Sequence, residues 1–174
     1  MKSTLDAPAE KDVSAVTGDN RAGKYLVFHL GTEEFGIQVL KVREIMGIQG
    51  ITAVPQMPGY VKGVINLRGK VIPVVNLRLK FGMTEAEHTQ RTCIIVVQLQ
   101  GDTNSRLMGV IVDAVAEVLN LTASDIEDTP DFGPGVTTPY LLGMAKMKDK
   151  VKILLDIDEA MSSQELHGLE ALLH

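Results

Sequence analysis

Residues 61–79, VKGVINLRGKVIPVVNLRL, contain two apolar runs separated by a short polar break. The runs Val61–Leu67 and Val71–Leu77 are rich in valine and isoleucine, whose branched side chains suit the pleated surface of a strand. The break at Arg68-Gly69 can turn the chain directly, so the segment predicts an antiparallel β-hairpin with an exposed arginine at its tip. Because Pro73 cannot donate a ladder hydrogen bond, we expect the second strand to be an edge there, or bulged.

Composition narrows the class of protein. The 174 residues, 45% hydrophobic and 22% charged, fit one domain of ordinary size or two very small ones with a shared core. A net charge of −5 argues against a nucleic-acid-binding protein and against direct attachment to anionic lipid. No apolar run approaches the ~20 residues that span a bilayer, and residues 1–20 do not resemble a signal peptide. The single cysteine, Cys93, excludes an intrachain disulfide, so we expect a cytoplasmic protein without membrane insertion.

Short apolar runs and turns continue along the rest of the chain. Phe35, Ile37 and Val39 alternate as in a strand, whereas the spacing after Val39 fits a short helical turn and an irregular strand equally well. Leucines at helical spacing predict a C-terminal helix over residues 158–174, and small polar residues predict a disordered tail over residues 1–22. Further strands are predicted at Tyr25–Leu30, Thr92–Leu99, Arg106–Leu119, Tyr140–Lys146 and Val151–Ile157.

Many short strands at regular spacing predict small barrels or a sandwich. We expect a mainly β fold of two small barrels that share an apolar interface, with short helices and a C-terminal helix. The polar linker at residues 83–91 suggests the boundary between them. The first barrel would then lie mainly in residues 35–82, and the second mainly in residues 92–157 with its first strand near residues 25–30.

The sequence offers little support for catalysis. Four histidines lie far apart, and Cys93 stands in an apolar run where a thiol is usually a small buried hydrophobe. The nucleophile motif GxSxG and a phosphate-binding loop are both absent. Asp156 and Asp158 would face the same side of a strand, which we interpret as a solvated strand end. We therefore expect no metal, no cofactor and no enzymatic activity. The alternative is an enzyme or a ligand-binding small β-barrel protein of unknown substrate. The histidines are His29, His88, His167 and His174.

Four segments together resemble the CheW family of bacterial chemotaxis coupling proteins. They are FHLGTEEFGIQVLKVREIMG (28–47), VKGVINLRGKVIPVVNLRLKFG (61–82), MGVIVDAVAEVLNLTASDIE (108–127) and YLLGMAKMKDKVKILLDID (140–158). The resemblance implies a CheW-like domain over residues 23–165, built as two five-stranded barrels related by a pseudo-two-fold axis. It also implies a non-catalytic adaptor without cofactors that couples chemoreceptors, the methyl-accepting chemotaxis proteins, to the histidine kinase CheA. Such a protein is cytoplasmic and is recruited to membrane-bound receptor arrays.

The resemblance further implies which residues contact each partner. The cytoplasmic tip of the chemoreceptor would lie in a groove between the barrels, and the regulatory domain of CheA would contact an apolar edge of the first barrel. Gly63, Gly109 and Gly143 match small positions where a receptor helix or close backbone packing leaves no room for a Cβ. The receptor-binding residues would be Val42, Glu44, Gly63, Asn66, Arg68 and Gly69, and the kinase-binding residues would be Phe35, Ile37 and Ile45.

Overall fold

The computed structural model describes residues 19–100 and 106–162. Residues 1–18 of the predicted tail and most of the predicted C-terminal helix lie outside these residues. The last part of the predicted tail is ordered, because Asp19–Arg21 form a 3-10 helix and Arg21 donates to the carbonyl oxygen of Leu142 at 3.0 Å. The described part contains eleven strands and two short α-helices. The strands are β1 Gly23–Leu30, β2 Glu33–Gln38, β3 Val42–Gly47, β4 Val61–Leu67, β5 Lys70–Asn76, β6 Cys93–Leu99, β7 Arg106–Val112, β8 Ala114–Leu121, β9 Ile126–Glu127, β10 Leu141–Met147 and β11 Lys150–Leu155; the helices are α1 Leu77–Lys80 and α2 Ile157–Ala160.

The strands form two sheets, which confirms the mainly β fold with two β units. One sheet has five strands in the order β3-β6-β7-β5-β4, and the other has six in the order β9-β10-β11-β2-β1-β8. The five strands per unit that the resemblance implies hold for the first sheet. The second sheet gains β9, a strand of only two residues that the apolar pattern did not predict.

The predicted division of the strands between the two units differs from the structure. The chain passes from the six-stranded to the five-stranded sheet at a 3-10 turn, Val39–Lys41, and returns at Asp113, between β7 and β8. The polar linker at residues 83–91 joins strands of the same sheet and is therefore not the boundary. Two parallel pairings set the true division: β5 with β7, and β2 with β11. Both join segments that are distant in sequence, so local patterns could not predict them.

The structure settles the alternative left open after Val39 and divides the strand predicted over residues 106–119. The segment after Gln38 contains both alternatives in succession, because the 3-10 turn is followed directly by β3. The predicted strand over residues 106–119 is two strands, β7 and β8, which belong to different sheets and are separated by Asp113.

The central hairpin forms as predicted. In β4 and β5, Ile65 faces Ile72 and Leu67 faces Lys70. β5 is an interior strand of its sheet, but its pairing with β7 begins only at Val74. Pro73 therefore lies one residue before the β5–β7 ladder begins. Because Pro73 has no β7 partner, its missing N–H removes no hydrogen bond between β5 and β7, and the sheet can accommodate it.

Both sheets contribute to a shared core. On β6, Ile95 and Val97 pack in the cluster that also contains residues of β1 and β2, whereas Ile94 and Val96 pack on the opposite face with residues of β4 and β5. This strand is thus buried on both faces, which explains its nearly continuous apolar sequence. At about 25 cal/mol per Å² of apolar surface, such burial is the main source of stability for a chain that is poor in aromatic residues.

The β4–β5 hairpin has a structural counterpart in β10–β11, with residues 60–77 matching residues 140–157. The backbone N–H of Asn76 donates to the carbonyl oxygen of Tyr60 at 2.7 Å, and that of Asp156 donates to the carbonyl oxygen of Tyr140 at 2.8 Å. The side chains of Asn76 and Asp156 both cap the short helix that follows them. The two units therefore share a hairpin that ends in the same backbone hydrogen bond and the same helix cap.

Candidate partner-binding site at the tip of the β4–β5 hairpin

The tip of the hairpin presents an ion pair to solvent. Nη2 of Arg68 lies 2.6 Å from Oε1 of Glu44, which belongs to β3. The Arg68 side chain is 71% exposed and that of Glu44 is 27% exposed. Because β3 and β4 are the two outer strands of the five-stranded sheet, the pair connects opposite edges of that sheet. Two predicted receptor-binding residues are thus in direct contact.

The backbone of the turn holds Arg68 in an uncommon conformation. Arg68 has a φ of +50° and Gly69 a φ of +85°, and a type I′ turn requires positive φ at both central positions. The backbone N–H of Gly69 donates to Oδ1 of Asn66 at 2.8 Å, which fixes the approach to the turn. Asn66 and Gly69, both predicted site residues, therefore shape the turn that projects the guanidinium.

Val42 lies two residues before Glu44 on β3, and both are partly buried. The pairing of β3 with β6 is irregular between them, so Val42 pairs with Val97 and Glu44 with the adjacent Val96. The Val42 side chain packs against the shared core. Val42 thus precedes the Arg68–Glu44 pair on the same strand, with a half-buried side chain that faces the shared core.

Gly63 shows close backbone packing, which is one of the two alternatives expected for it. It is buried, its φ is +142°, and a Cβ built on it would lie 2.1 Å from the carbonyl oxygen of Thr52. The neighbour that leaves no room for a side chain is therefore the chain's own backbone. The same holds at Gly143, where a Cβ would lie 2.7 Å from the carbonyl oxygen of Glu127. At Gly109 the obstruction is the Cγ2 atom of Ile94, at 2.8 Å.

The predicted kinase-binding residues do not form one surface. Phe35 and Ile37 are only 9% and 2% exposed, and both belong to the shared core. They lie on β2 of the six-stranded sheet, whereas Ile45 lies on β3 of the other sheet and is 44% exposed. Alternation identified the strand of Phe35 and Ile37 without indicating that both of its faces are covered, so of the three residues only Ile45 offers an exposed apolar side chain.

Sequence reasoning missed three cations near the tip. A cleft of about 360 Å³ brings Arg43, Lys70 and Arg106 together with Arg68 and Glu44. Leu67 and Leu107 also line it. These cations are far apart in the chain, so their convergence follows only from the strand order. We call this cleft, lined by Arg43, Glu44, Leu67, Arg68, Lys70, Gln98, Arg106 and Leu107, the basic cleft.

A larger apolar groove of about 590 Å³ lies elsewhere on the molecule. Phe35, Phe81 and Tyr140 line it, and their rings follow one another at centroid distances of 6.1 Å and 5.9 Å. Phe132 and Val136 are its exposed apolar residues. The groove thus has a wall of aromatic rings, which favours an apolar occupant.

Neither surface suggests a metal centre or a membrane span. Within residues 19–100 and 106–162, no three residues among the histidines, cysteines, aspartates and glutamates are grouped so that they could hold a metal ion. In the same part of the chain, no helix has the length and apolar character needed to cross a bilayer.

Comparison with known proteins decides the family. A profile of the CheW-like domain matches residues 24–165. The chain belongs to the CheW family. Chemotaxis protein CheW of Klebsiella aerogenes is 38% identical to it over 154 residues, which cover 88% of this chain and 90% of that protein. Chemotaxis protein CheW of Rhizobium meliloti is 36% identical over 146 residues, or 84% of this chain and 92% of that protein.

A solved CheW structure shows the same fold. The crystal structure of scaffolding protein TtCheW from Thermoanaerobacter tengcongensis matches with a TM-score of 0.70 and 34% sequence identity, covering 81% of this chain and 93% of that one. The protein described here is accordingly a chemotaxis scaffold of the CheW family, and its two sheets are the two β units of the CheW fold.

Proposed function

We propose that this protein is a non-catalytic adaptor that couples chemoreceptors to the histidine kinase CheA in the cytoplasm. The proposal extends family membership to particular partners. Its receptor-binding surface comprises Val42, Glu44, Asn66, Arg68 and Gly69 at and beside the hairpin tip. The adaptor is recruited to membrane-bound receptor arrays through these contacts and catalyses no reaction.

The observation that best supports this proposal is the exposed ion pair of Arg68 with Glu44, which the turn holds at the hairpin tip. A residue other than glycine with a left-handed backbone costs roughly 1 kcal/mol, and asparagine or glycine is usual at such a position. Arg68 nevertheless occupies it, with an exposed guanidinium in contact with Glu44. A planar guanidinium can bind a second carboxylate through paired hydrogen bonds, which suits recognition of a protein partner.

The test is a binding experiment with the Arg68→Glu variant. Binding to a soluble fragment that carries the cytoplasmic tip of a chemoreceptor, and to the isolated regulatory domain of CheA, is measured separately. We expect the variant to lose at least roughly 10-fold in receptor affinity, because the reversed charge faces both Glu44 and the partner. The midpoint of urea unfolding should change little, since an exposed charge contributes little to stability.

The chain contains a matched control at its second hairpin. Lys148 is also a basic residue with positive φ, 58°, at the corresponding hairpin tip of the other unit. Lys148→Glu makes the same kind of charge reversal and should leave receptor affinity unchanged. Equal effects of the two substitutions would show that net charge, and not the site at Arg68, controls binding, and the proposal would then fail.

For the kinase-binding surface we propose fewer residues than the resemblance implied. Of the three residues named for it, only Ile45 has a substantially exposed side chain. Ile45→Ser removes an exposed apolar contact and should weaken binding to the CheA regulatory domain without affecting the receptor fragment. Kinase binding at wild-type strength in this variant would remove Ile45 from the proposed surface.

A further inference from the structure

The basic cleft has a charge distribution unlike that of the whole protein. The chain carries a net charge of −5, yet the described residues lining the cleft include four cations, Arg43, Arg68, Lys70 and Arg106, and one carboxylate, Glu44. Only Arg68 is paired with that carboxylate. Within the described residues, the other three cations have no acidic partner. The cleft is therefore a local positive site on an acidic molecule.

The strand order explains why these cations converge. β3 runs antiparallel to β6, β6 antiparallel to β7, and β7 parallel to β5. As a result, β3, β5 and β7 all begin at the same end of the sheet, and the tip of the β4–β5 hairpin lies at that end too. Lys70 and Arg106 are the first residues of β5 and β7, and Arg43 is the second residue of β3.

We propose that the basic cleft binds carboxylates of the partner protein that docks at the hairpin tip, with Arg43, Lys70 and Arg106 as residues that determine affinity and specificity. This inference rests on the proposed function, in which that partner is the chemoreceptor tip. Two guanidinium groups and an ammonium group around an open, partly apolar concavity suit an acidic protein surface. Leu67 and Leu107, which also line the cleft, can add apolar contact to the ionic contacts.

An acidic protein fits the cleft better than a nucleic acid does. A long polyanion must meet cations over an extended surface, and here the rest of the chain is predominantly acidic and would repel it. A few carboxylates on a folded partner need only the cleft itself. Ionic contacts of this kind accelerate association and fix orientation, and they weaken as salt screens them.

The test neutralises the three cations and leaves Arg68 and Glu44 in place. In the triple variant Arg43→Gln, Lys70→Gln, Arg106→Gln, we expect receptor-tip affinity to fall roughly 5- to 10-fold at low salt, because each exposed ion pair contributes modestly. The difference from wild type should shrink between about 50 mM and about 300 mM NaCl. The matched control, Lys24→Gln, Arg91→Gln, Lys148→Gln, makes the same change in net charge at exposed cations outside the cleft and should bind as wild type does.

The outcomes separate this inference from the proposed function. If wild-type protein does not bind the receptor fragment, the proposed function fails and the inference fails with it. If wild-type protein binds but the cleft triple variant binds equally well at every salt concentration, the inference alone fails. It also fails if the variant loses affinity only for the CheA regulatory domain, or if wild-type protein binds single-stranded DNA as tightly as it binds the receptor fragment. Urea unfolding verifies that each variant is folded. If the triple variant does not fold, the single variant Arg106→Gln replaces it in the binding experiment.

Discussion

The guanidinium of Arg78 holds the carboxylate of Asp113 through two parallel contacts, Nε to Oδ1 at 2.8 Å and Nη2 to Oδ2 at 2.7 Å. Asp113 is the residue at which the chain returns from the five-stranded to the six-stranded sheet, and Arg78 lies in α1 directly after β5. The carboxylate also accepts from the backbone N–H of Gly31, in the β1–β2 turn, at 2.7 Å. One aspartate thus ties together elements of both sheets.

Replacing Asp113 with asparagine should destabilise the protein. The substitution preserves the size of the side chain but removes its charge, and hydrogen bonds to charged groups contribute about 1.5–3 kcal/mol. We expect the unfolding free energy from urea titration to fall by about 2 kcal/mol, with little change in the m-value. The control is Glu85→Gln, which breaks the exposed pair with Lys62 at 2.9 Å and should cost less than about 1 kcal/mol. Equal losses in the two variants would contradict a special role for Asp113.

The same pair predicts how stability depends on pH. The hydrogen bond from Arg78 lowers the pKa of Asp113 below its ordinary value, so the folded state binds fewer protons at this site than the unfolded state. Its contribution is complete above the ordinary aspartate pKa of about 4 and is lost as the pH falls through the lower pKa of the folded state. The stability difference between wild type and Asp113→Asn, measured by urea unfolding, should therefore narrow below about pH 4. If the stability difference between the two proteins stays constant down to pH values near 2, the pH dependence does not arise from Asp113.

The close approach of Gly63 to Thr52 predicts a large effect from a small substitution. Gly63→Ala places a methyl group 2.1 Å from the Thr52 carbonyl oxygen and forces alanine to a φ of +142°. Overpacking and an unfavourable backbone conformation each cost about 1–3 kcal/mol, so we expect a loss of more than about 2 kcal/mol in thermal or urea unfolding. At Gly47 the added methyl group meets no atom within 4 Å. Gly47→Ala should therefore change the stability by less than about 1 kcal/mol.

Structural features that depend on residues close together in the sequence were predicted correctly. The hairpin around Arg68 was predictable because its apolar runs and its turn are contiguous. The allocation of strands was not, because the pairing of Val74 with Gly109 joins segments 35 residues apart and leaves no periodic signal. Two signals were nevertheless present. Asp113 interrupts an apolar run where the chain changes sheets, and Gly63 and Gly143 mark equivalent positions of the two hairpins.

The sequence likewise identified some residues of the candidate site and not others. Arg68, Asn66 and Gly69 form one local turn, and the resemblance to a known family identified them together with Glu44. Arg43 and Arg106 could not be grouped with them from the sequence, since their proximity arises from the order of β3, β6 and β7 in the sheet. The burial of Phe35 and Ile37 was equally hidden, because an alternating strand pattern does not show which surface covers the second face.

Cys93 should be unreactive in the folded protein. Its side chain is buried at the start of β6, and this burial raises the pKa of the thiol above its ordinary value. Because the thiolate is the reactive form, both effects should slow its reaction with a disulfide reagent such as DTNB at pH 8. We expect the native protein to react at least roughly 100-fold more slowly than the same protein in denaturing urea, since reaction requires local or global opening. The unfolded protein is its own control for thiol content, and full reaction of the native protein at the unfolded rate would show that this end of β6 is open to solvent.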